Sequence, residues 1–298
     1  MADANISFEF FPPKTEEGRK KLLEVTQPAL QALGPEFFSC TYGAGGSTRE
    51  NTYGIVEAIH QNGAAVAPHL SFGGDGEEEI GALLDRYVDL GVNHLVALRG
   101  DMPSGMGGRM QLVYANELVA FVRERHGDHF RIAVGAYPEI HPESLSYESD
   151  VQYLKGKFDA GADVAITQYF YNVDAYFYYL DRCLDAGIDK PIFAGIMPIT
   201  NYENLARFSK NCGAEIPRWI CQRLEGFRGD PESIRAFGIE VVTQLCQTLL
   251  DSGCPGIHFY TMNQLEPVRT IYQNLVSQEP GETPGKDAGA ATGHESAA

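Results

Sequence analysis

The sequence lacks long apolar runs and has few basic residues for its length. No apolar stretch approaches the about 20 residues that a membrane-spanning helix needs, and the N-terminus has no basic region followed by an apolar one. The 298 residues include 23 Lys and Arg against 40 Asp and Glu, which gives a formal net charge of −17. Because nucleic acids and anionic membranes bind basic surfaces, the composition argues against both as partners.

Paired cysteine motifs and metal-binding spacings are also absent. The six cysteines form no C-x-x-C pair, and the eight histidines show no zinc-type spacing. Several cysteines lie inside apolar stretches, and 44% of the residues are hydrophobic, which is ordinary for a globular protein. The sequence therefore predicts reduced buried thiols, no metal site and a cytoplasmic location.

The C-terminal end has almost nothing that could pack against a folded body. Residues 277–298 contain no aromatic residue and no Val, Ile, Leu or Met. Such a segment cannot bury enough apolar surface to offset the entropy of ordering it. We expect a disordered acidic tail rich in Gly, Pro and Ala over residues 277–298, after a single domain over residues 1–276.

Short apolar runs alternate with segments of helical periodicity along that domain. The polar or terminal residues of the eight runs are Glu9, Thr41, His69, Arg99, Tyr137, Gln168, Met197 and Tyr260. Successive positions are 28 to 38 residues apart, about one strand–helix unit each, except for a final gap of 63. The spacing predicts a (β/α)8 barrel with extra helices between strands 7 and 8. An open doubly wound sheet would usually carry a glycine-rich first turn, whereas "FEFFPPK" follows the first strand here.

The stretch "ISFEFFPP" places one carboxylate, Glu9, among phenylalanines. Side chains alternate along a strand, so Ser7 and Glu9 share one face while Phe8 and Phe10 share the other. If the phenylalanines pack under the helices, Glu9 faces the mouth of the barrel, where such folds place their chemistry. A lone strand-end carboxylate can also simply pair with an arginine or cap a helix.

A second carboxylate, Asp101, follows the fourth predicted strand. Two carboxylates in different environments are a common way to obtain a neutral acid beside an ionised partner. His69 is the only histidine favoured by its position, although a histidine satisfied within the core is the alternative. The loop "GAGGST" over residues 43–48 suits a phosphate, but it is neither a P-loop nor a dinucleotide fingerprint and is more often a turn with a helix cap.

Eight motifs in order resemble one known family. They are "SFEFFPPK", "TYGAGGST", "APHLSF", "VALRGD", "GAYPEIHPES", "KFDAGADVAITQYFY", "GIMPI" and "HFYTMN". Together they resemble methylenetetrahydrofolate reductase, a flavoenzyme that makes 5-methyltetrahydrofolate. The resemblance covers about residues 5–275 and lacks the regulatory domain of eukaryotic members, so the chain is similar to the short bacterial type.

The resemblance implies a (β/α)8 barrel with non-covalent FAD at the C-terminal ends of its strands. It implies ping-pong transfer of a hydride from NADH or NADPH through FAD to 5,10-methylenetetrahydrofolate. In this family pattern Glu9 is the general acid that helps to open the five-membered ring of the folate. Asp101 lies beside FAD and the pterin, Gln168 contacts both substrates in turn, and Phe208 packs on the aromatic part of the folate.

The resemblance also implies a set of FAD contacts and a homo-oligomeric assembly. The contacts are Thr41, Tyr42, Ala44, His69, Arg99, Gly100, Asp101, Tyr114, Ala115, Tyr137, His141, Asp150 and Lys157. Arg99 and Lys157 would supply the positive charge that a pyrophosphate needs in an acidic protein. The sequence holds no acidic or basic selector that distinguishes NADH from NADPH.

The chain departs from the family pattern at four positions. Tyr153 and Gly156 stand where the family often has Asn and Arg, which implies a differently built phosphate site. Near the folate, Asn204 replaces a usual Gln and Gln264 replaces a frequent basic residue. We expect the glutamate tail of the folate to be bound differently or more weakly.

Two other functions remain open on the sequence. A cofactor-free lyase or aldolase on the same barrel is one, but no lysine ends a predicted strand to form a Schiff base. A folate- or flavin-binding protein without turnover is the other, and the presence of both Glu9 and Asp101 argues against it.

Overall fold

Eight parallel strands close into a barrel in which each strand pairs with its neighbours in sequence and β1 pairs with β8. The computed structural model describes residues 5–42, 46–72, 76–100 and 114–277, with the backbone alone at 46–48. The strands are β1 Asn5–Phe10, β2 Phe37–Cys40, β3 Val66–Leu70, β4 His94–Ala97, β5 Arg131–Ala136, β6 Val164–Thr167, β7 Ile192–Ile196 and β8 Gly256–Tyr260. The predicted (β/α)8 barrel is confirmed.

Helices surround the barrel. They are α1 Glu16–Lys21 and α2 Gln27–Gln31, joined by the π-helical turn Leu22–Thr26, then α3 Gly46–Gln61, α4 Glu77–Leu90, α5 Ala115–His126, α6 Tyr147–Asp159, α7 Val173–Asp185, α8 Tyr202–Cys212, α9 Arg218–Gly226, α10 Pro231–Asp251 and α11 Glu266–Ser277. Helices α8, α9 and α10 fill the long interval between β7 and β8, where the spacing predicted extra helices. In the part of the chain that the structure describes, no helix is long and apolar enough to cross a membrane.

The ends of α10 follow from the sequence around it. The side chain of Asp230 accepts hydrogen bonds from the backbone N–H groups of Glu232 and Ser233, both at 3.1 Å, and Pro231 occupies the first helical position. Gly253, with φ of 82°, lies just beyond the end of the helix. Ser277 ends α11, and the rest of the tail predicted over residues 277–298 lies outside the described residues.

Strand β1 separates its side chains as the alternation predicts. Phe8 and Phe10 are fully buried on the outer face of the barrel, and the ring of Phe10 stacks on that of Phe38 with centroids 5.3 Å apart. On the inner face, Ser7 hydrogen-bonds to His258 and the Glu9 carboxylate approaches two histidines. The two phenylalanines therefore hold Glu9 toward the interior of the barrel.

The interior below Glu9 is packed with apolar side chains. A cluster separate from the larger core between barrel and helices is formed by Phe37, Ala67, Val96, Ala133, Val164, Ile166 and Phe193. The barrel is therefore filled rather than open from end to end.

Gly195 in β7 marks a close approach inside the mouth. Its N–H donates to Thr167 Oγ1 at 2.8 Å, and the Tyr260 hydroxyl donates to the Thr167 carbonyl oxygen at 2.7 Å. A Cβ atom at position 195 would lie 1.9 Å from that carbonyl oxygen and 2.8 Å from the Tyr260 ring. No side chain larger than hydrogen fits there.

Replacement of Gly195 by Ala is expected to lower the free energy of unfolding by about 3 kcal/mol or more, because backbone must move to admit the methyl group. Urea denaturation measures it. The matched control is Gly226→Ala, since a Cβ there meets nothing within 4 Å and the change should stay within about 1 kcal/mol. Equal stability of the two variants would contradict the prediction.

Candidate active site

The eight predicted strand-end residues all lie at the C-terminal mouth of the barrel. Each is inside its strand or within two residues of its end: Glu9, Thr41, His69, Arg99, Tyr137, Gln168, Met197 and Tyr260. Since the strands are parallel, their C-terminal ends share one rim, and residues up to 251 positions apart in sequence come together there. In (β/α)8 barrels the functional residues lie at this rim.

The Glu9 carboxylate lies between two histidines. Its Oε2 atom is 3.3 Å from Nε2 of His69 and 3.7 Å from Nε2 of His258. The Glu9 side chain is 18% exposed, whereas those of His69 and His258 are 9% and 1% exposed. The carboxyl group therefore reaches solvent at the mouth while the imidazoles close its inner side.

Two serines fix the orientation of His258. Ser7 Oγ lies 2.7 Å from Nδ1 of the ring, and Ser39 Oγ lies 3.3 Å from Nε2. Sequence reasoning did not select His258 or these serines. The sequence does carry a signal for His258: it lies two residues before Tyr260 in a buried strand, so the alternation of side chains places both rings on the inner face.

His69 is buried with an unsatisfied ring nitrogen. Within the described part of the chain, Nε2 makes no hydrogen bond of acceptable geometry, although Glu9 Oε2 is only 3.3 Å away. Burial lowers the pKa of His69 below its usual value, while the Glu9 carboxylate acts in the opposite direction. The ring is therefore neutral at pH 7 and presents a polar atom beside Glu9.

A cavity of about 590 Å³ opens next to His69. Thirteen residues were predicted to contact FAD, and Ala44 and Asp101 lie outside the described residues, which leaves eleven. Ten of these line the cavity: Tyr42, His69, Arg99, Gly100, Tyr114, Ala115, Tyr137, His141, Asp150 and Lys157. Thr41, the first residue after β2, does not line it. The volume is in the range of small-molecule and cofactor sites.

The cavity wall carries two cations and two carboxylates. Arg99 Nη1 lies 2.5 Å from Glu143 Oε2 at the rim, and this hydrogen bond raises the pKa of the arginine. Lys157 Nζ donates to the Gly135 carbonyl oxygen at 2.7 Å. Burial lowers the pKa of Lys157 to about 8, against the attraction of Asp150. Both basic groups are thus charged at pH 7 and lie in the same wall.

Asp150 organises the loop between β5 and α6. Its carboxylate accepts hydrogen bonds from the His141 N–H at 3.1 Å and from the Ser144 hydroxyl at 2.9 Å. The His141 ring meets the Tyr137 ring edge-on at 4.6 Å, and burial lowers the pKa of His141. Asp150 is 7% exposed, so in this structure it acts mainly as a buried acceptor that shapes the cavity wall.

Among the described residues, those predicted to bind folate do not line that cavity. Gln168 follows β6 and lines a small neighbouring hollow, with its Oε1 accepting the Tyr169 N–H at 3.0 Å. Asn204 and Phe208 lie on α8, exposed and partly buried respectively, and Gln264 lies exposed after β8. The second predicted catalytic residue, Asp101, is outside the described residues.

Glu139 is an acidic group in the same hollow that the sequence did not indicate. Its Oε2 accepts the Glu215 N–H at 2.8 Å, whereas its buried Oε1 has no hydrogen-bond partner among the described residues. Burial raises the pKa of Glu139 to about 7.

Among the described residues, no group of three or more His, Cys, Asp or Glu side chains is placed to hold a metal ion.

The filled parallel barrel, with an acidic group and a cofactor-sized cavity at its mouth, defines the class of protein: a (β/α)8 barrel with a cavity at the C-terminal ends of its strands. The family model of methylenetetrahydrofolate reductase matches residues 1–276. The chain therefore belongs to the methylenetetrahydrofolate reductase family.

Relatives with that name are similar over most of the chain. The 5,10-methylenetetrahydrofolate reductase of Escherichia coli K12 is 39% identical over 272 residues, which cover 91% of this chain and 90% of the relative. That of Buchnera aphidicola is 40% identical, with 89% of each chain covered. Methylenetetrahydrofolate reductase (NADH) 1 of Arabidopsis thaliana is 38% identical over 91% of this chain but only 48% of its own length.

A solved structure supports the fold. A Clostridium thermocellum protein, described as binding two copies of 5-methyl-5,6,7,8-tetrahydrofolic acid, matches with a TM-score of 0.66 at 18% identity. The match covers 91% of this chain and 93% of that one. At this identity the likeness establishes the barrel alone.

Glu139 provides a test of how burial acts at this end of the barrel. The pKa of Glu139 is raised in the folded state, so folding favours the protonated side chain. The contribution of this group to the free energy of unfolding is therefore fully present below about pH 4.5 and is lost as pH rises through about 7. Glu139→Gln should therefore stabilise the protein at pH 8 but not at pH 4.5. Since the group is partly exposed, we expect about 1–2 kcal/mol by urea denaturation. Glu124→Gln, on the exposed face of α5, is the control. If Glu139→Gln stabilises the protein at pH 8 no more than this control does, the prediction is wrong.

Proposed function

We propose that the protein reduces 5,10-methylenetetrahydrofolate to 5-methyltetrahydrofolate with NADH or NADPH, by ping-pong transfer through non-covalently bound FAD. Membership of the methylenetetrahydrofolate reductase family supports the folate reaction. The observation that carries the FAD proposal is the single cavity lined by ten predicted contact residues. The plant relatives named as NADH-dependent favour a nicotinamide as electron donor. Assembly into a homo-oligomer stays a prediction of the family resemblance.

The residues around the cavity suit FAD in size, polarity and charge. Ala97 and Leu98 give the wall an apolar portion at the end of β4, which suits a flat ring system. Arg99 and Lys157 supply cationic N–H donors for the two phosphates. When bound there, FAD would accept a hydride from the nicotinamide and deliver it to the folate. His69, with its unsatisfied Nε2, joins this cavity to Glu9.

Lys157 makes the binding of an anion depend on pH. With a pKa of about 8, the side chain is largely protonated at pH 7 and loses its charge as pH rises further. A bound phosphate would favour the charged form and raise that pKa. Arg99 keeps its charge throughout this range.

Glu9 is proposed as the general acid of the folate half-reaction. Opening the five-membered ring of the substrate requires a proton on the departing nitrogen, and a carboxylic acid at the partly exposed mouth can deliver it. The neutral His69 ring places no cation beside the Glu9 carboxyl, which suits a group that must give up a proton. His258, held by Ser7 and Ser39, keeps the inner side of the carboxyl polar.

The folate would then lie beside that cavity, against residues assigned by resemblance. Gln168 and Asp101 would bind the pterin, and Phe208 would pack on the aromatic portion. Gln168 lies one residue beyond β6, at the same rim as Glu9. Asn204 and Gln264 are exposed amides, so they offer hydrogen bonds rather than positive charge to the glutamate tail.

The absorbance spectrum of the purified protein tests the proposal. We expect a yellow protein whose FAD is released by denaturation and whose colour is bleached anaerobically by NADH or NADPH and restored by methylenetetrahydrofolate. A colourless protein that takes up no added FAD would overturn it. FAD binding without bleaching would support the non-catalytic alternative, and trapping of a carbonyl substrate on Lys157 by borohydride would support a lyase.

Replacement of Glu9 by Gln should separate the two half-reactions. The amide keeps the size and hydrogen bonding of the side chain but has no proton to transfer. The nicotinamide half-reaction needs stacking and orientation only, so its rate should stay within about tenfold. The folate half-reaction should fall by roughly 10²–10⁴-fold, the usual cost of losing a positioned acid.

Anaerobic rapid mixing measures each half-reaction separately, and equilibrium titration measures folate binding, which should remain detectable. The conservative control is Glu9→Asp, which retains an acid at a shorter reach and should be less impaired than the Gln variant. Equal losses in both half-reactions for Glu9→Gln would mean that Glu9 has a structural role.

A further inference from the structure

The turn Thr261–Gln264, directly after β8, grips the strand that carries Glu9. The Thr261 hydroxyl donates to the Glu9 carbonyl oxygen at 2.6 Å. The Asn263 side chain donates to the Phe11 carbonyl oxygen at 2.8 Å and accepts the Phe11 N–H at 3.1 Å. The backbone on the C-terminal side of Glu9 is thus held by two side chains from the opposite end of the sequence.

These side chains replace the strand pairing where it ends. The register pairs Glu9 with Tyr260, and the next backbone contact, from the Thr261 N–H to the Glu9 oxygen, is long at 3.4 Å. Beyond Phe11 the chain continues with Pro12 and Pro13, which have no N–H to donate. The side-chain amide of Asn263 therefore makes, at the end of β1, the hydrogen bonds that the backbone of a further β8 residue would otherwise make.

The turn holds these side chains in place at a conformational cost. Met262 and Asn263 both have positive φ, 52° and 56°, and the Gln264 N–H closes the turn on the Thr261 carbonyl oxygen at 2.9 Å. Asparagine tolerates this left-handed region, whereas methionine adopts it only under backbone strain. Such strain persists where surrounding contacts enforce it, and it clusters at functional sites.

We propose that Thr261 and Asn263 are positioning residues that fix the backbone at Glu9 and Phe11, and so keep the Glu9 carboxyl at the height in the mouth from which it protonates the substrate. The inference rests on the proposed function, since it concerns the acid of the folate half-reaction. A general acid must stay within hydrogen-bond reach of its target, and a displacement of about 1 Å can cost 10²-fold in rate.

The first test is Asn263→Gly. Glycine adopts positive φ readily, so the variant keeps the turn and loses only the two hydrogen bonds to Phe11. We expect the folate half-reaction to slow by about tenfold to a hundredfold while the nicotinamide half-reaction stays within about twofold. The N–H of Phe11 should also exchange faster with deuterium, which is a measurement independent of activity.

The second test is the pair Thr261→Val and Thr261→Ser. Valine matches the shape of threonine without its hydroxyl, whereas serine restores the hydroxyl. The valine variant should slow the folate half-reaction selectively and the serine variant should recover most of the rate. This pair keeps the inference testable if Asn263→Gly does not fold.

The matched control is Asn51→Ala, which removes an amide hydrogen bond to the Pro13 carbonyl oxygen at the same strand exit. It touches neither Glu9 nor Phe11, so both half-reactions should stay within about twofold. If the Asn263 and Thr261 variants slow both half-reactions equally, or slow neither, the inference is wrong. The proposed function would still hold in that case, provided that the wild-type protein carries out both half-reactions. A wild-type protein that cannot reduce the folate would overturn both.

Discussion

The pairing of β1 between β8 and β2 is the constraint on which the site depends. It sets Glu9 beside Tyr260 on one side and Ser39 on the other. A slip of one residue would turn the carboxylate outward beneath the helices and bring a phenylalanine into the mouth. Burial of Phe8 and Phe10, worth about 1.5–3 kcal/mol each, opposes that slip. The phenylalanines around Glu9 in the sequence are therefore what directs it inward.

The interior of the barrel changes character along its axis. The lower part is filled by an apolar cluster that includes Phe37 and Phe193. Above it, Ser7, Ser39 and His258 form a buried polar group whose members hydrogen-bond to one another. The apolar filling excludes water from below, and the polar layer leaves Glu9 as the acid that faces solvent. The role of general acid that we propose for Glu9 needs both conditions, a dry surround and an open side for the substrate.

Local signals in the sequence were enough to predict the barrel and the direction of Glu9. The spacing of the apolar runs indicated the eight strands, and the period-two alternation indicated the inner face. Contacts between distant residues were beyond that reasoning. Ser7 and His258 are 251 residues apart, and a pattern within one strand does not reveal the register that joins them.

The same limit applies to the cavity wall and to the turn after β8. The family resemblance implied Arg99 as a cation for an anionic ligand, but not its pairing with Glu143, because that pairing depends on the fold of the loop after β5. It included "HFYTMN" among the family motifs without showing that Thr261 and Asn263 bind the backbone of β1. These are side-chain contacts across the closure of the barrel, and only the three-dimensional structure contains them.

The pairing of Arg99 with Glu143 also bears on how an acidic protein could bind an anion. The Glu143 side chain is 62% exposed, and pairs of this kind contribute only about 0–1 kcal/mol, so a phosphate could displace the carboxylate at little cost. Lys157 differs because burial already lowers its pKa to about 8, and its charge is held chiefly by Asp150. An anion beside it would restore the favourable environment that burial removes. In the FAD complex that we propose, Arg99 at the rim therefore suits capture of a phosphate, whereas the half-buried Lys157 gains most once the phosphate is in place.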